Sequence, residues 1–135
     1  MTQEDKILLL KDLSARLTYG VKAYVKNWSK LDRKWYEGVY TVESIHPYLN
    51  DILVCSERGS VEVILGYDDY EIKPYLFPLS SMTEEERNEY KHFVAFSGNP
   101  TGSANFIDWL NAHHFDYRGL IEKELAIDAS FHNVY

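Results

Sequence analysis

Apolar residues recur along this chain with two different rhythms. Ile7, Leu10, Leu13 and Leu17, widened by Leu9, form one stripe at helical spacing, while Lys6, Asp12 and Arg16 lie elsewhere; this predicts an amphipathic helix over residues 3–17. Thr2, with Asp5 three residues on, is placed to cap it, and Tyr19-Gly20 to end it. The rhythm then changes to two. Val21, Ala23 and Val25 alternate with Lys22, Tyr24 and Lys26, as in a half-buried strand. Trp35 to Ile45 is a longer aromatic and β-branched run, His46 to Asp51 its turn, and Ile52 to Ser56 the return strand. In that hairpin Cys55 is expected opposite Val42 or Glu43. Glu57-Arg-Gly59-Ser60 reads as a second turn leading into Val61–Leu65, and Gly66 and Asp68-Asp69 break that strand before Tyr70–Leu76. Pro74 and Pro78 are expected to stop this last segment.

Helical spacing returns in the last third. Ser81 or Thr83 can cap a helix, with Glu84 or Glu86 completing a capping box, and Tyr90, Phe93, Val94 and Ser97 form its inner stripe. Residues 97–102 read as a loop. Ser103 caps a further helix holding Phe106, Ile107 and Leu110, which ends near His113-His114. A short turn at Asp116-Tyr-Arg-Gly119 precedes an apolar patch of Leu120, Ile121, Leu125 and Ile127. Short strands with tight turns favour an antiparallel meander over a parallel sheet with crossover helices. The expectation is a single α+β domain over residues 1–135. It comprises an N-terminal helix, a twisted antiparallel sheet of four to five strands, and two to three C-terminal helices on one face.

Composition narrows the function classes. At 135 residues with 45% apolar content, the chain can fold without a disulfide or metal. The 11 tyrosines suggest a half-buried tyrosine-rich sheet or a contact surface. Cys55 stands alone, which excludes an internal disulfide and a zinc thiolate cluster. The acidic, polar start and the shortness of every apolar run predict neither a signal peptide nor a membrane span, so a cytoplasmic location is expected. The formal charge is −7, but residues 1–36 hold eight Lys/Arg against four Asp/Glu, and the remainder six against seventeen. An acidic total argues against a general phosphate-backbone binder.

Two stretches, Ile72-Lys-Pro-Tyr-Leu…Ser-Ser-Met-Thr-Glu-Glu-Glu86 and Asp108-Trp-Leu-Asn-Ala-His-His-Phe-Asp-Tyr-Arg-Gly-Leu-Ile-Glu-Lys123, resemble a family of small uncharacterised proteins of gut Bacteroidetes. Lys11 to Leu17 and Tyr19 to Lys22 fit as well. Similar chains carry glycine at the position of Glu124 and arginine at that of Phe77. The resemblance implies a setting, accessory to a phage or mobile element, and transfers no functional residue.

The sharpest candidate surface is Lys22, Tyr24, Lys26, Trp28, Lys30, Arg33, Lys34 and Trp35. Cations interleaved with rings suit single-stranded nucleic acid, whose bases stack while its phosphates meet ammonium groups. The same residues also suit an edge strand whose lysines deter aggregation, or a surface for a protein partner. Other constellations read as structural. His113 and His114 are adjacent and point about 100° apart on a helix, unlike ligands to one metal ion; Asp116 can cap the next turn. Cys55 sits in an apolar run away from His46, and Glu84-Glu85-Glu86 sits where a helix start wants carboxylates. No phosphate-binding, nucleophile-elbow or metalloprotease motif occurs. No cofactor, metal or catalytic residue is therefore expected. The preferred function is a non-enzymatic module meeting a protein partner, a second copy included. The alternatives are a nucleic-acid accessory protein using residues 22–36 and an acidic DNA mimic.

Overall fold

The computed structural model describes residues 1–97 and 104–135. Helix α1, Gln3–Arg16, begins at a capping box: Thr2 Oγ1 accepts the Asp5 N–H at 3.0 Å, and Asp5 Oδ2 accepts the Thr2 N–H at 3.3 Å. A single turn of 3-10 helix follows, and Gly20 closes it with a left-handed φ of 68° that suits glycine. The buried stripe of α1 is rotated from the expected one. Leu9, Leu10 and Leu13 are buried together with Asp12 and Arg16, while Ile7 is 58% exposed.

Five strands form an antiparallel meander: β1 Lys22–Ser29, β2 Lys34–His46, β3 Asp51–Ser56, β4 Gly59–Ile64 and β5 Tyr70–Pro78. They lie in the order β4-β3-β2-β1-β5, because β5 returns alongside β1. Val21, Ala23 and Val25 are fully buried, as the alternation predicts. A bulge between Val42 and Ser44 bends β2 and shifts the hairpin by one residue, so Cys55 pairs with Thr41 rather than Val42 or Glu43. The outer strands approach each other, with Val63–Leu65 near Tyr70–Lys73 around a cavity of about 100 Å³.

Pro74 does not stop β5. It faces Ala23, a position whose backbone groups point at β2, so the missing N–H removes no bond to β1. Beyond Pro74 the strand changes partners. β6, Phe115–Asp116, and β7, Ile127–Asp128, pair with it in parallel, giving seven strands rather than the expected four to five. Two-residue strands carry no periodicity, so the pattern of the chain cannot announce them.

Helices α2, Glu84–Ser97, and α3, Ala104–Ala112, follow the sheet. Thr83 and Glu86 form the second capping box: the Thr83 N–H donates to Glu86 Oε1 at 2.8 Å and the Glu86 N–H to Thr83 Oγ1 at 3.1 Å. The loop from residue 98, the Ser103 cap and the side chain of Val94 lie outside the described residues. The C-terminal helices do not blanket a sheet face as expected. The main core joins α1 to the sheet and to Leu120, Leu125 and Ala126 of the tail. A second cluster, Met82, Phe106, Leu110 and Phe115, gathers α3 at the end of β5 with Phe77 and Phe93. Among the described residues no helix is long and apolar enough to cross a membrane.

Candidate functional site

The candidate residues divide between two faces and a turn. Antiparallel pairing puts Lys22, Tyr24, Lys26 and Trp28 opposite Thr41, Val39, Glu37 and Trp35, and directly opposed residues share a face. Five of the eight candidates are thus brought together: Lys22, Tyr24, Lys26, Trp28 and Trp35. Lys34 lies on the other face with Tyr36, its Nζ 4.8 Å from the ring centroid. Lys30 and Arg33 belong to the β1–β2 turn, both exposed, Arg33 with φ of 53°.

On the shared face the rings are neither buried nor bare. Trp28 and Trp35 meet edge to face at 5.4 Å, and Lys26 Nζ sits 4.9 Å from the Trp35 ring centroid. Tyr24 donates its hydroxyl to Glu37 Oε2 at 2.6 Å. Partial burial, that hydrogen bond and the nearby charges of Glu37 and Glu71 push the Tyr24 phenol up to about 12. The cations have acidic company. Lys26 is paired in register with Glu37 on one side and Glu71 on the other, and Glu71 meets Lys73 at 3.7 Å. This balance leaves little net field for a phosphate backbone.

The feature that residue types did not announce is a strand edge. β1 pairs with β2 from Lys34 onward, but β3 pairs with β2 only from Thr41 to His46. The Val42 N–H donates to the Val21 carbonyl, so even-numbered residues of this segment bond β1. The N–H and C=O groups of Trp35, Glu37 and Val39 therefore point away from β1, where no strand lies among the described residues. A groove of about 1030 Å³ occupies that notch, lined by Tyr36, Gly38 and Tyr40 from one face, Val39 and Thr41 from the other, and Arg58 from the β3–β4 turn. The signal available in the sequence was length: the Trp35–Ile45 run is about twice the Ile52–Ser56 run.

A second polar cluster lies beneath the surface. Arg16 donates to both carboxylate oxygens of Asp12 at 2.9 and 3.1 Å and to the Phe115 carbonyl at 2.5 Å, with both side chains at 0% exposure. Arg118 reaches the same carboxylate at 2.8 Å and stacks on Tyr117, whose hydroxyl donates to Asn111. The His114 ring stacks on Tyr135 at 3.9 Å, and the Tyr135 hydroxyl donates to the Tyr75 carbonyl while accepting the Lys22 N–H. Burial, then Arg16 and His113, hold the His114 imidazole down at about 4, so it is neutral at pH 7. The geometry of this cluster ties α1 to β6 and to the tail.

His113 meets Glu86 at 3.3 Å and packs against Trp109 and Phe115, linking the α3 end to the α2 cap. The Asp116 carboxylate accepts the N–H groups of Leu120 and Ile121 at 2.9 Å, capping the tail turn. His46 faces Asp51 at the far end of the hairpin from Cys55. Among the described residues no group of three His, Cys, Asp or Glu is placed to hold a metal ion. Compared with known proteins, the chain matches no family model, no curated protein and no solved structure.

Proposed function

We propose that this chain is a small non-enzymatic interaction module that meets a protein partner through its β1–β2 end, working in the cytoplasm as an accessory to a phage or mobile element. The setting rests on the sequence resemblance alone. The mode of action rests on one observation: the backbone of Trp35, Glu37 and Val39 is left unpaired, among the described residues, beside exposed rings. Natural sheets protect such edges with lysine, proline or a bulge, or else use them. Here the free segment has Lys34 only at its turn end and no proline, and the bulge lies beyond the notch at Val42/Ser44.

A photo-crosslinking amino acid at position 39, compared with one at exposed Lys123, tests this reading. A discrete protein adduct from position 39 alone, whose purified partner binds saturably, is the expected result. The opposing result is saturable, salt-weakened binding of single-stranded oligonucleotide, lost in the Lys26→Glu/Trp28→Ala variant, with no adduct from position 39.

A further inference from the structure

The notch beside β2 has properties that specify its occupant. Seven residues, 34–40, run past the end of β3, a span of about 20 Å at the rise of a strand. A strand laid there would continue the line of β3 and meet three outward N–H and three outward C=O groups, those of Trp35, Glu37 and Val39. Its alternate side chains would fall on Trp35 and Val39 on one face and on Tyr36 and Tyr40 on the other. Gly38 lines the groove between those tyrosines, and neither a positive φ nor crowding explains it. A Cβ added there would meet only Tyr40 Cε2, at an ordinary 3.6 Å. Glycine inside a strand often marks the close approach of another backbone.

Charge then selects among strands. Lys30, Arg33 and Lys34 stand at the turn end of the notch beside one acid, Asp32, whereas at the other end Arg58 is offset by its neighbour Glu57, which also lines the groove; none of the four cations has an ion-pair partner among the described residues. Glu37 and Asp32 accept the hydroxyls of Tyr24 and Tyr36, bonds that orient the carboxylates and leave their negative charge in place. The turn end of the notch therefore carries a net positive charge, beside a hydrogen-bonding edge with Glu37 at its centre between Trp35 and Val39.

We infer that this edge takes an extended segment of a partner protein by strand addition, with β-branched residues along it and carboxylates at the end that meets the β1–β2 turn. Main-chain bonds would supply affinity, and the cations of the β1–β2 turn the choice of an acidic end. The inference rests on the interaction reading above and names the chemistry of its partner.

The probe is a labelled nonapeptide, Asp-Glu-Val-Thr-Val-Thr-Val-Glu-Asp, with a control in which lysines replace its acidic residues. Anisotropy titrations at low and moderate salt are expected to show saturable binding of the acidic probe only. Val39→Pro removes an N–H that faces solvent, and Gly38→Val fills the groove; each should weaken binding about tenfold or more while thermal unfolding stays near wild type. Lys30→Glu/Arg33→Glu should abolish the preference for the acidic probe. Three results overturn the inference. One is the absence of binding at the highest soluble probe concentration. Another is binding indifferent to Val39→Pro in a folded variant. The third is concentration-dependent dimerisation lost in Val39→Pro, which would make the edge a contact between copies. A position-39 adduct with a protein that competes with neither probe would leave the interaction reading standing and remove only the acidic strand.

Discussion

Arg33, Asn50, His114 and Glu124 hold left-handed backbone without being glycine, and the last two have measurable consequences. His114 takes φ of 59° at the end of α3, where its ring stacks on Tyr135 away from water. A proton on that ring is disfavoured in the fold and welcome in the unfolded chain. The stability owed to the neutral ring is thus fully present above about pH 6.5 and is lost as pH falls towards 4. The loss reaches at most about 3 kcal/mol at the low end, because each tenfold change in proton affinity is worth roughly 1.4 kcal/mol and residual solvent screening subtracts from the total. His114→Asn, which tolerates the same backbone, should flatten the pH dependence of unfolding free energy over that window. Urea titrations at several pH values read the slope directly, and an unchanged slope would assign the acid sensitivity to other groups. Glu124 takes φ of 61° on an exposed turn, where its side chain makes no hydrogen bond or ion pair among the described residues. Glu124→Gly should relieve that conformation and raise the urea midpoint, against the entropy that glycine adds to the unfolded chain. A lower midpoint would show that the entropic loss dominates.

At the scale of elements, α1 shows how tertiary contacts overrule a stripe. Counting apolar residues puts Asp12 and Arg16 on the wet face, whereas both are sealed between α1 and β6. The helix has turned because Arg16 gains the Phe115 carbonyl and shares Asp12 with Arg118, bonds available only after the tail is in place. Removing one partner leaves a charge buried without compensation, so Asp12→Ala should cost about 3–5 kcal/mol. Asp12→Leu combined with Arg16→Met should recover part of that loss, since it removes the buried charges together, although Arg118 and the Phe115 carbonyl each lose a partner. Equal damage from the single and the double variant would show that packing, not charge pairing, sets the cost.

For the molecule as a whole, the five-strand meander forms one core with α1 and the tail, and α3 forms another at the end of β5. The tail joins them: Leu120 and Leu125 enter the first core, and Phe115 and Tyr117 border the second. The exposed β1–β2 turn belongs to the basic segment, residues 1–36, and lies with the free edge of β2 at one end of the sheet. Strand addition there would complete a ladder the chain leaves unfinished.

Local pattern determined most of the elements. The two capping boxes, the Val21–Val25 alternation, the glycine closing the first helix and the turn at Pro47 depend on neighbours within a few residues, so they can be read along the chain. The candidate surface was half legible for the same reason: alternation groups Lys22 with Tyr24, Lys26 and Trp28, while Lys34 takes the opposite face only because the turn sets its register. Tertiary structure alone decided the parallel pairings of β6 and β7, the burial of Asp12 and Arg16, and the unpaired edge of Trp35, Glu37 and Val39. Each depends on residues far apart in sequence, and a backbone group left without a partner is a property of where other strands end, which no local pattern encodes.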